Sequence, residues 1–358
     1  VDPTAPYLTQ WAVEDTVAIM QEPGMGEQNQ FRDPFIWKDD GVYYMMIGSG
    51  YDGTSGGALM YTSEDMRDWE YHGYAFQSTA GEAGIHWECI QLLPISTRDG
   101  SMQKYVFFLT PQYAEESRTV ECYYWIGTFD KASKRFVPDA GYEAPRLLDY
   151  GNGIFTGQTG FSYLTEEDAT AGKTYEQGRT ILFAIAQGKE PGTTHNYYSG
   201  WAHNASLPME LYLSDDGTSI AMEPIEELHT LRTQTVYASE TAMTAEEANA
   251  AIGQLRGDSF EIRMKLSLSE TAETYSAGLY VRFNPYTDSL NQTERTGVVF
   301  GSNGVYIDRS QTSLYVMGLG NSHVWHNTAG EFDVVVYMDR SMLEVYVNGT
   351  VSFTSRMY

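Results

Sequence analysis

The 358-residue chain carries 48 acidic against 22 basic residues, a formal net charge of −26 at pH 7. So anionic a surface repels phosphate backbones and anionic membrane faces, which argues against nucleic acid and membranes as partners and favours a neutral or cationic ligand. Hydrophobic residues at 42% and aromatic residues at 14% exclude a disordered chain. Twenty-seven Tyr and 34 Gly, with few long helical patterns, point to β-structure rich in turns. Two cysteines, Cys89 and Cys122, make neither a disulfide framework nor a zinc set, and the sequence does not decide whether they pair. No apolar run is long enough to span a membrane. Asn204-Ala-Ser, Asn291-Gln-Thr and Asn348-Gly-Thr match glycosylation sequons, and the expected location is outside the cell.

In chain order, "GVYYMMIGSG" (41–50), "GALMYTS" (57–63), "KYVFFLT" (104–110), "YYWIGTFD" (123–130), "RTILFAIAQ" (179–187) and "MELYLSDDG" (209–217) read as strands. The continuously apolar "VYYMMI" and "ILFAIA" suit strands covered on both faces. A loose repeat joins "LMYTSEDMRDWEYHG" (59–73), "WIGTFDKASKRFVPD" (125–139) and "LYLSDDGTSIAMEP" (211–224): strand, polar turn, second strand. The uneven spacing suits four-stranded propeller blades with inserted loops; a set of ordinary hairpins is the competing reading. Residues 225–256 are rich in Glu, Ala and Leu at near-helical spacing and read as a connector with a short helix. Beyond it, "SFEIRMKLSLS", "AGLYVRFNP", "FDVVVYMDRSMLEVYVNG" and "VSFTSRMY" alternate apolar and polar residues, the pattern of a sandwich over 257–358. Residues 1–224 are the expected propeller.

Two carboxylates stand out. In "FRDPFIW" (31–37), Pro34 biases Asp33 toward extended geometry, and Arg32 precedes it. In "HWECIQLLPI" (86–95), Glu88 lies among Trp87, Ile85, Ile90, Leu92 and Leu93, where partial desolvation would raise its pKa and suit it to general acid work. The competing readings are a structural Asp at a strand start and a Glu whose head reaches solvent. Paired acids in an aromatic cleft suggest glycoside cleavage.

With "FRDPFIW", "HWECIQLLPI", "LLDYGNGIFTGQTGF" (147–161), "GWAHNASLPMELYL" (200–213) and "DRSMLEVYVNG" (339–349) in this order, the chain resembles glycoside hydrolase family 32, the invertases, inulinases, levanases and related fructosyltransferases. The resemblance implies an all-β fold, a five-bladed β-propeller followed by a β-sandwich. It implies retaining cleavage of β-fructofuranosides through a fructosyl-enzyme ester, with no cofactor and no metal. The partner expected is sucrose, a fructo-oligosaccharide or a fructan. Carried over, Glu88 is the acid/base, Asp33 stabilises the transition state on the fructose hydroxyls, and Arg32 binds beside it. Trp87, Asp149, Gln158 and Trp201 are expected to contact substrate.

The chain departs from the family pattern. Ile90 stands where Trp-Glu-Cys is usually followed by Pro, and Phe155-Thr156-Gly157 replaces Phe-Tyr-Ala. The family's nucleophilic Asp, in a Trp-Met-Asn-Asp-Pro-Asn-Gly segment, has no counterpart; Asp2 in "VDPTAP" is too close to Asp33 for a blade to fit between them. Residues 1–224 are therefore expected to form blades two to five, with the first blade and nucleophile outside this chain, supplied by a second polypeptide segment or a longer protein. The sandwich is expected to stop short at Tyr358, and the chain alone to be inactive. A non-catalytic fructan-binding homologue, a fructosyltransferase, and an arabinan- or xylan-cleaving propeller enzyme are the alternatives.

Overall fold

The computed structural model describes residues 11–115, 121–151, 153–187, 200–268, 276–284, 294–312, 321–327 and 330–357. Strands β1 (Arg32–Asp39), β2 (Val42–Tyr51), β3 (Ser55–Ser63) and β4 (Glu70–Ser78) pair antiparallel in chain order. The same meander recurs in β5 (His86–Ser96), β6 (Gln103–Gln112), β7 (Tyr123–Asp130) and β8 (Arg135–Pro138), where the short β9 (Arg146–Leu147) adds to β7. A third follows in β10 (Phe155–Tyr163), β11 (Arg179–Gln187), β13 (Met209–Leu213) and β14 (Ile220–Pro224), with β12 (His203–Ala205) on β11 and helix α1 (Glu166–Thr170) between its first two strands. These are propeller blades. β2, β3, β5 and β6 are buried along most of their length, in β2 as its apolar run "VYYMMI" requires.

The three sequence repeats are the outer hairpins of the three blades. Acidic residues close their turns: Asp65 Oδ1 accepts the Arg67 amide at 2.8 Å, Asp130 Oδ1 the Ala132 amide at 2.9 Å, and Asp216 Oδ1 the Thr218 amide at 3.0 Å. Four blades were expected in residues 1–224, and the described residues hold three four-stranded sheets there. The segment 11–31, expected as second-blade sequence leading into Arg32-Asp33-Pro34, contains no strand. It carries Gly and acidic turn residues without a period-two apolar pattern.

Adjacent blades meet through glycine. A Cβ on Gly48 would lie 2.2 Å from the Trp87 carbonyl oxygen, and one on Gly56 would lie 1.8 Å from Trp87 Nε1. The "GSG" of β2 thus lets β5 close onto it, and Gly50 pairs with His86. Trp87 then packs among Phe76, Phe107 and Trp125 in the aromatic core.

A connector follows, with a 3₁₀ turn at Glu226–Leu231 and helix α2 (Ala245–Ile252), begun by a Thr244–Glu247 capping box. The sandwich stacks a sheet of order β15 (Ser259–Ser267), β19 (Glu331–Asp339), β20 (Met342–Val347), β21 (Val351–Arg356) on one of β16 (Ser276–Asn284), β17 (Glu294–Gly301), β18 (Gly304–Gln311). β15 and β19 alternate as expected of strands with one face in the core. β20 and β21 are buried throughout, because both of their faces are covered. Leu343, Val345, Val347, Val351 and Phe353 enter the sandwich core. The residues between them meet the propeller. Tyr346 joins the propeller core. Ser352 and Thr354 donate to Asp149, and Arg356 donates to the Ala186 carbonyl at 2.7 Å. No helix among the described residues is long and apolar enough to cross a membrane. Asn204 and Asn348 are exposed; Asn291 lies outside the described residues.

Glu344, on the propeller side of β20, accepts the Leu207 amide through both carboxylate oxygens, at 2.9 and 3.1 Å. Burial, with the nearby Asp149 charge adding to it, pushes its pKa up to about 7; the Leu207 amide and Tyr346 hydroxyl oppose the rise. The folded protein therefore holds this proton more tightly than the unfolded chain. The associated stability is fully present below the ordinary Glu value and is lost as pH rises through about 7. Glu344→Gln is expected to stabilise the protein at pH 8, by on the order of 2–4 kcal/mol, and to change little at pH 5. Denaturant midpoints at the two pH values check this; equal effects at both would contradict it. Gly48→Ala is expected to lower the stability by about 1–3 kcal/mol, and with it the denaturant midpoint, since the obstructing atom is main chain. An unchanged midpoint would contradict the close approach of β2 and β5.

Candidate active site

The first strands of the three blades each carry a register break near the start. On β1 the pairing passes from Arg32↔Gly48 to Phe35↔Met46; on β5, from Glu88↔Thr110 to Gln91↔Phe108; on β10, from Thr156↔Ile185 to Thr159↔Phe183. Such bulges re-aim side chains out of the alternating pattern. Each contains a residue in the left-handed region: Asp33 at φ 55°, Cys89 at φ 49° and Gly157 at φ 57°. The conformation of Asp33 corrects the extended geometry expected before Pro34. Pro34 has no amide to give to the ladder, and the bulge turns the exposed Asp33 toward Cys89 of the second blade instead.

Asp33 Oδ2 accepts the Cys89 amide at 2.9 Å and the Cys89 thiol at 3.7 Å. The neighbouring residues pair across the same gap: Arg32 Nη1 donates to Glu88 Oε1 at 2.7 Å. Arg32 also donates through Nη2 to Gln30 Oε1. The Arg32–Asp33 and Glu88–Cys89 dipeptides, far apart in sequence, thus lie against one another. The Cys89 thiol reports the same convergence: burial first, then the charges of Asp33 and Glu88, push its pKa up to about 12. It stays protonated at neutral pH and is no nucleophile. Both cysteines are free thiols.

The greasy surroundings expected for Glu88 belong to its neighbours. Trp87 and Ile90 point into the core, whereas the Glu88 side chain is 27% exposed and its head pairs with Arg32. Three expected substrate contacts are corrected by burial. Trp87 is enclosed in the aromatic cluster, and its Nε1 donates to the Ala83 carbonyl at 2.8 Å. Asp149 is buried at the sandwich junction. It accepts from Ser352 Oγ at 2.7 Å, the Thr354 amide at 3.0 Å, Thr354 Oγ1 at 2.9 Å and the Gly151 amide at 2.8 Å. Gln158 is buried beneath Cys89. Trp201 is partly exposed and lies against the Arg356 guanidinium, 5.1 Å from ring centroid to Cζ, beside the sandwich.

Sequence reasoning missed the support behind the acids. Glu27 pairs with His86 Nε2 at 3.0 Å and accepts the Gly53 amide at 2.8 Å, anchoring the start of β5 two residues before Glu88. Burial works against the Glu27 charge, but the Gly53 amide and His86 outweigh it and hold its pKa below the ordinary value. The signal available was Gly48-Ser49-Gly50: three small residues in an apolar strand mark a close approach of another chain segment.

Two family models match this chain end to end: Glycosyl hydrolases family 32 N-terminal domain over residues 6–224, and Glycosyl hydrolases family 32 C terminal over 227–358. A beta-fructofuranosidase, insoluble isoenzyme 1, of Oryza sativa subsp. indica is 27% identical over 306 residues, covering 83% of this chain and 50% of the relative. A sucrose-6-phosphate hydrolase of Zymomonas mobilis subsp. mobilis is 24% identical over 363 residues, covering 95% and 63%. The chain thus spans about half to two-thirds of the length of these curated relatives. Among solved structures, the sucrose-6-phosphate hydrolase of Lactobacillus gasseri superposes with a TM-score of 0.73 at 18% identity, over 97% of this chain and 64% of that one. A point mutant of the Bombyx mori beta-fructofuranosidase in complex with sucrose gives 0.64 at 24% identity, over 92% and 61%. The likeness to these structures is one of fold, a propeller joined to a sandwich. With both of its domains matched, the chain belongs to glycoside hydrolase family 32.

Proposed function

We propose that this chain is the larger part of a glycoside hydrolase that cleaves β-D-fructofuranosidic bonds of sucrose, fructo-oligosaccharides or fructans with retention. The observation that carries the reading is the seating of Asp33 and Glu88 on either side of the Cys89 amide, beside Arg32. Membership of the family supports the sugar chemistry. Glu88, held by Arg32 through Oε1, serves as general acid and donates a proton to the leaving-group oxygen as the glycosidic bond breaks. An aspartate on a segment outside residues 1–358 forms the ester to the anomeric carbon. Glu88 then takes a proton from the water that hydrolyses this ester. Asp33 accepts hydrogen bonds from the fructose hydroxyls as positive charge grows on the ring. Its own orientation is fixed by the Cys89 amide.

In the intact protein, Glu88→Gln is expected to cut fructose release from sucrose or inulin by roughly 10²–10⁴-fold. Activity near wild type would remove Glu88 from the role. Residues 1–358 expressed alone are expected to release no fructose; release would place the nucleophile within them.

A further inference from the structure

We propose that Gln158 is a positioning residue for Glu88 and Asp33, acting through the main chain of Cys89. Gln158 is 1% exposed and touches neither carboxylate. Its Nε2 donates to the Cys89 carbonyl at 2.7 Å, and its Oε1 accepts from Thr110 Oγ1 at 2.7 Å. Thr110 is the register partner of Glu88 on β6, and its hydroxyl oxygen accepts the Gly157 amide at 3.1 Å. The amide of Gln158 thus ties the third blade to two strands of the second, at the residues opposite and next to Glu88.

The geometry of Cys89 makes this tie necessary. A non-glycine residue in the left-handed region relaxes unless its surroundings over-determine it. Both main-chain polar groups of Cys89 are held from outside its own blade: the amide by Asp33 of the first blade, the carbonyl by Gln158 of the third. Release of the carbonyl frees the Cys89–Ile90 peptide, and relaxation of Cys89 out of the left-handed region then re-aims the preceding Glu88–Cys89 peptide, which shifts Glu88 and loosens the amide that orients Asp33. The site needs a donor toward Cys89 and an acceptor toward Thr110 on one uncharged, buried head group, which describes a primary amide. Gly157 permits the bulge that aims Gln158 inward.

The inference rests on the proposed fructosidase reading for its kinetic test, so a second readout is independent of catalysis. In the intact protein, Gln158→Met keeps length and loses both hydrogen bonds. It is expected to lower kcat on sucrose about 10–100-fold with KM changed less than about threefold. Gln158→Glu keeps the acceptor for Thr110 and regains a donor only when protonated, so its kcat profile is expected to shift to lower pH than wild type. A kcat within about twofold of wild type in both variants, or a loss in Gln158→Glu that is the same at every pH, overturns the proposal. Amide hydrogen exchange of the peptide spanning Cys89 is expected to rise in Gln158→Met; unchanged protection there also overturns it. A wild-type protein that releases no fructose overturns the proposed function, and Gln158 is then judged on the exchange result alone.

Discussion

One line of hydrogen bonds organises the candidate site. Asp33 reaches from the first blade to the Cys89 amide, and the Cys89 carbonyl is taken by Gln158 of the third. Each link starts at a bulge, where the chain abandons the ladder and turns a polar group toward the next blade. Left-handed backbone at Asp33 and Cys89 costs of order 1–3 kcal/mol each. The cost is tolerable because the blades around the bulges are densely packed, with Trp87 and Ile90 buried on either side of the Glu88–Cys89 pair. Strain and carboxylates therefore occur together, and Arg32 reaches from the first blade to pair with Glu88.

The second constraint is the pair of two-faced strands that join the domains. Along β20 and β21 alternate side chains serve different cores. Asp149 shows why such a joint holds. Its carboxylate is enclosed, and burial drives its pKa up, yet four hydrogen bonds from Gly151, Ser352 and Thr354 satisfy it. These bonds fix the loop leading into β10, the strand that carries Gln158. The sandwich thus reaches the candidate site indirectly, through the position of the third blade's first strand.

Much of the architecture was legible in the sequence because period and burial are local signals. "VYYMMI" announced a strand covered on both sides, and "FDVVVYMD" a strand with one face in a core; "ILFAIA" read like the first, but Phe183 is half-buried and Ile185 exposed, so β11 keeps one open face. The outer hairpins were visible as repeats, since acidic turn residues recur where turns need side-chain acceptors. The blade count was less legible, because 11–31 was placed in a blade by its position before Arg32-Asp33-Pro34 although it has no strand pattern of its own. The motifs singled out Asp33 and Glu88, and the fold brings Asp33 to the residue next to Glu88. The burial of Trp87, Asp149 and Gln158 was not legible, because a motif identifies a neighbourhood and only the register shows which way a side chain points. A bulge moves that register by a residue, and nothing in "WECIQ" or "FTGQT" marks where the break falls. "MLEVYV" held a clue that went unread: a Glu and a Tyr at alternate positions of a wholly apolar-looking strand imply a second buried face.

The account turns on Asp33 and Glu88 meeting one fructosyl ring. A crystal structure of the intact protein soaked with fructose tests this most directly. The account predicts a single ring whose hydroxyls lie within hydrogen-bond distance of the Asp33 carboxylate while Glu88 faces its anomeric oxygen. A sugar bound elsewhere, or the two carboxylates opening onto different surfaces, would contradict it.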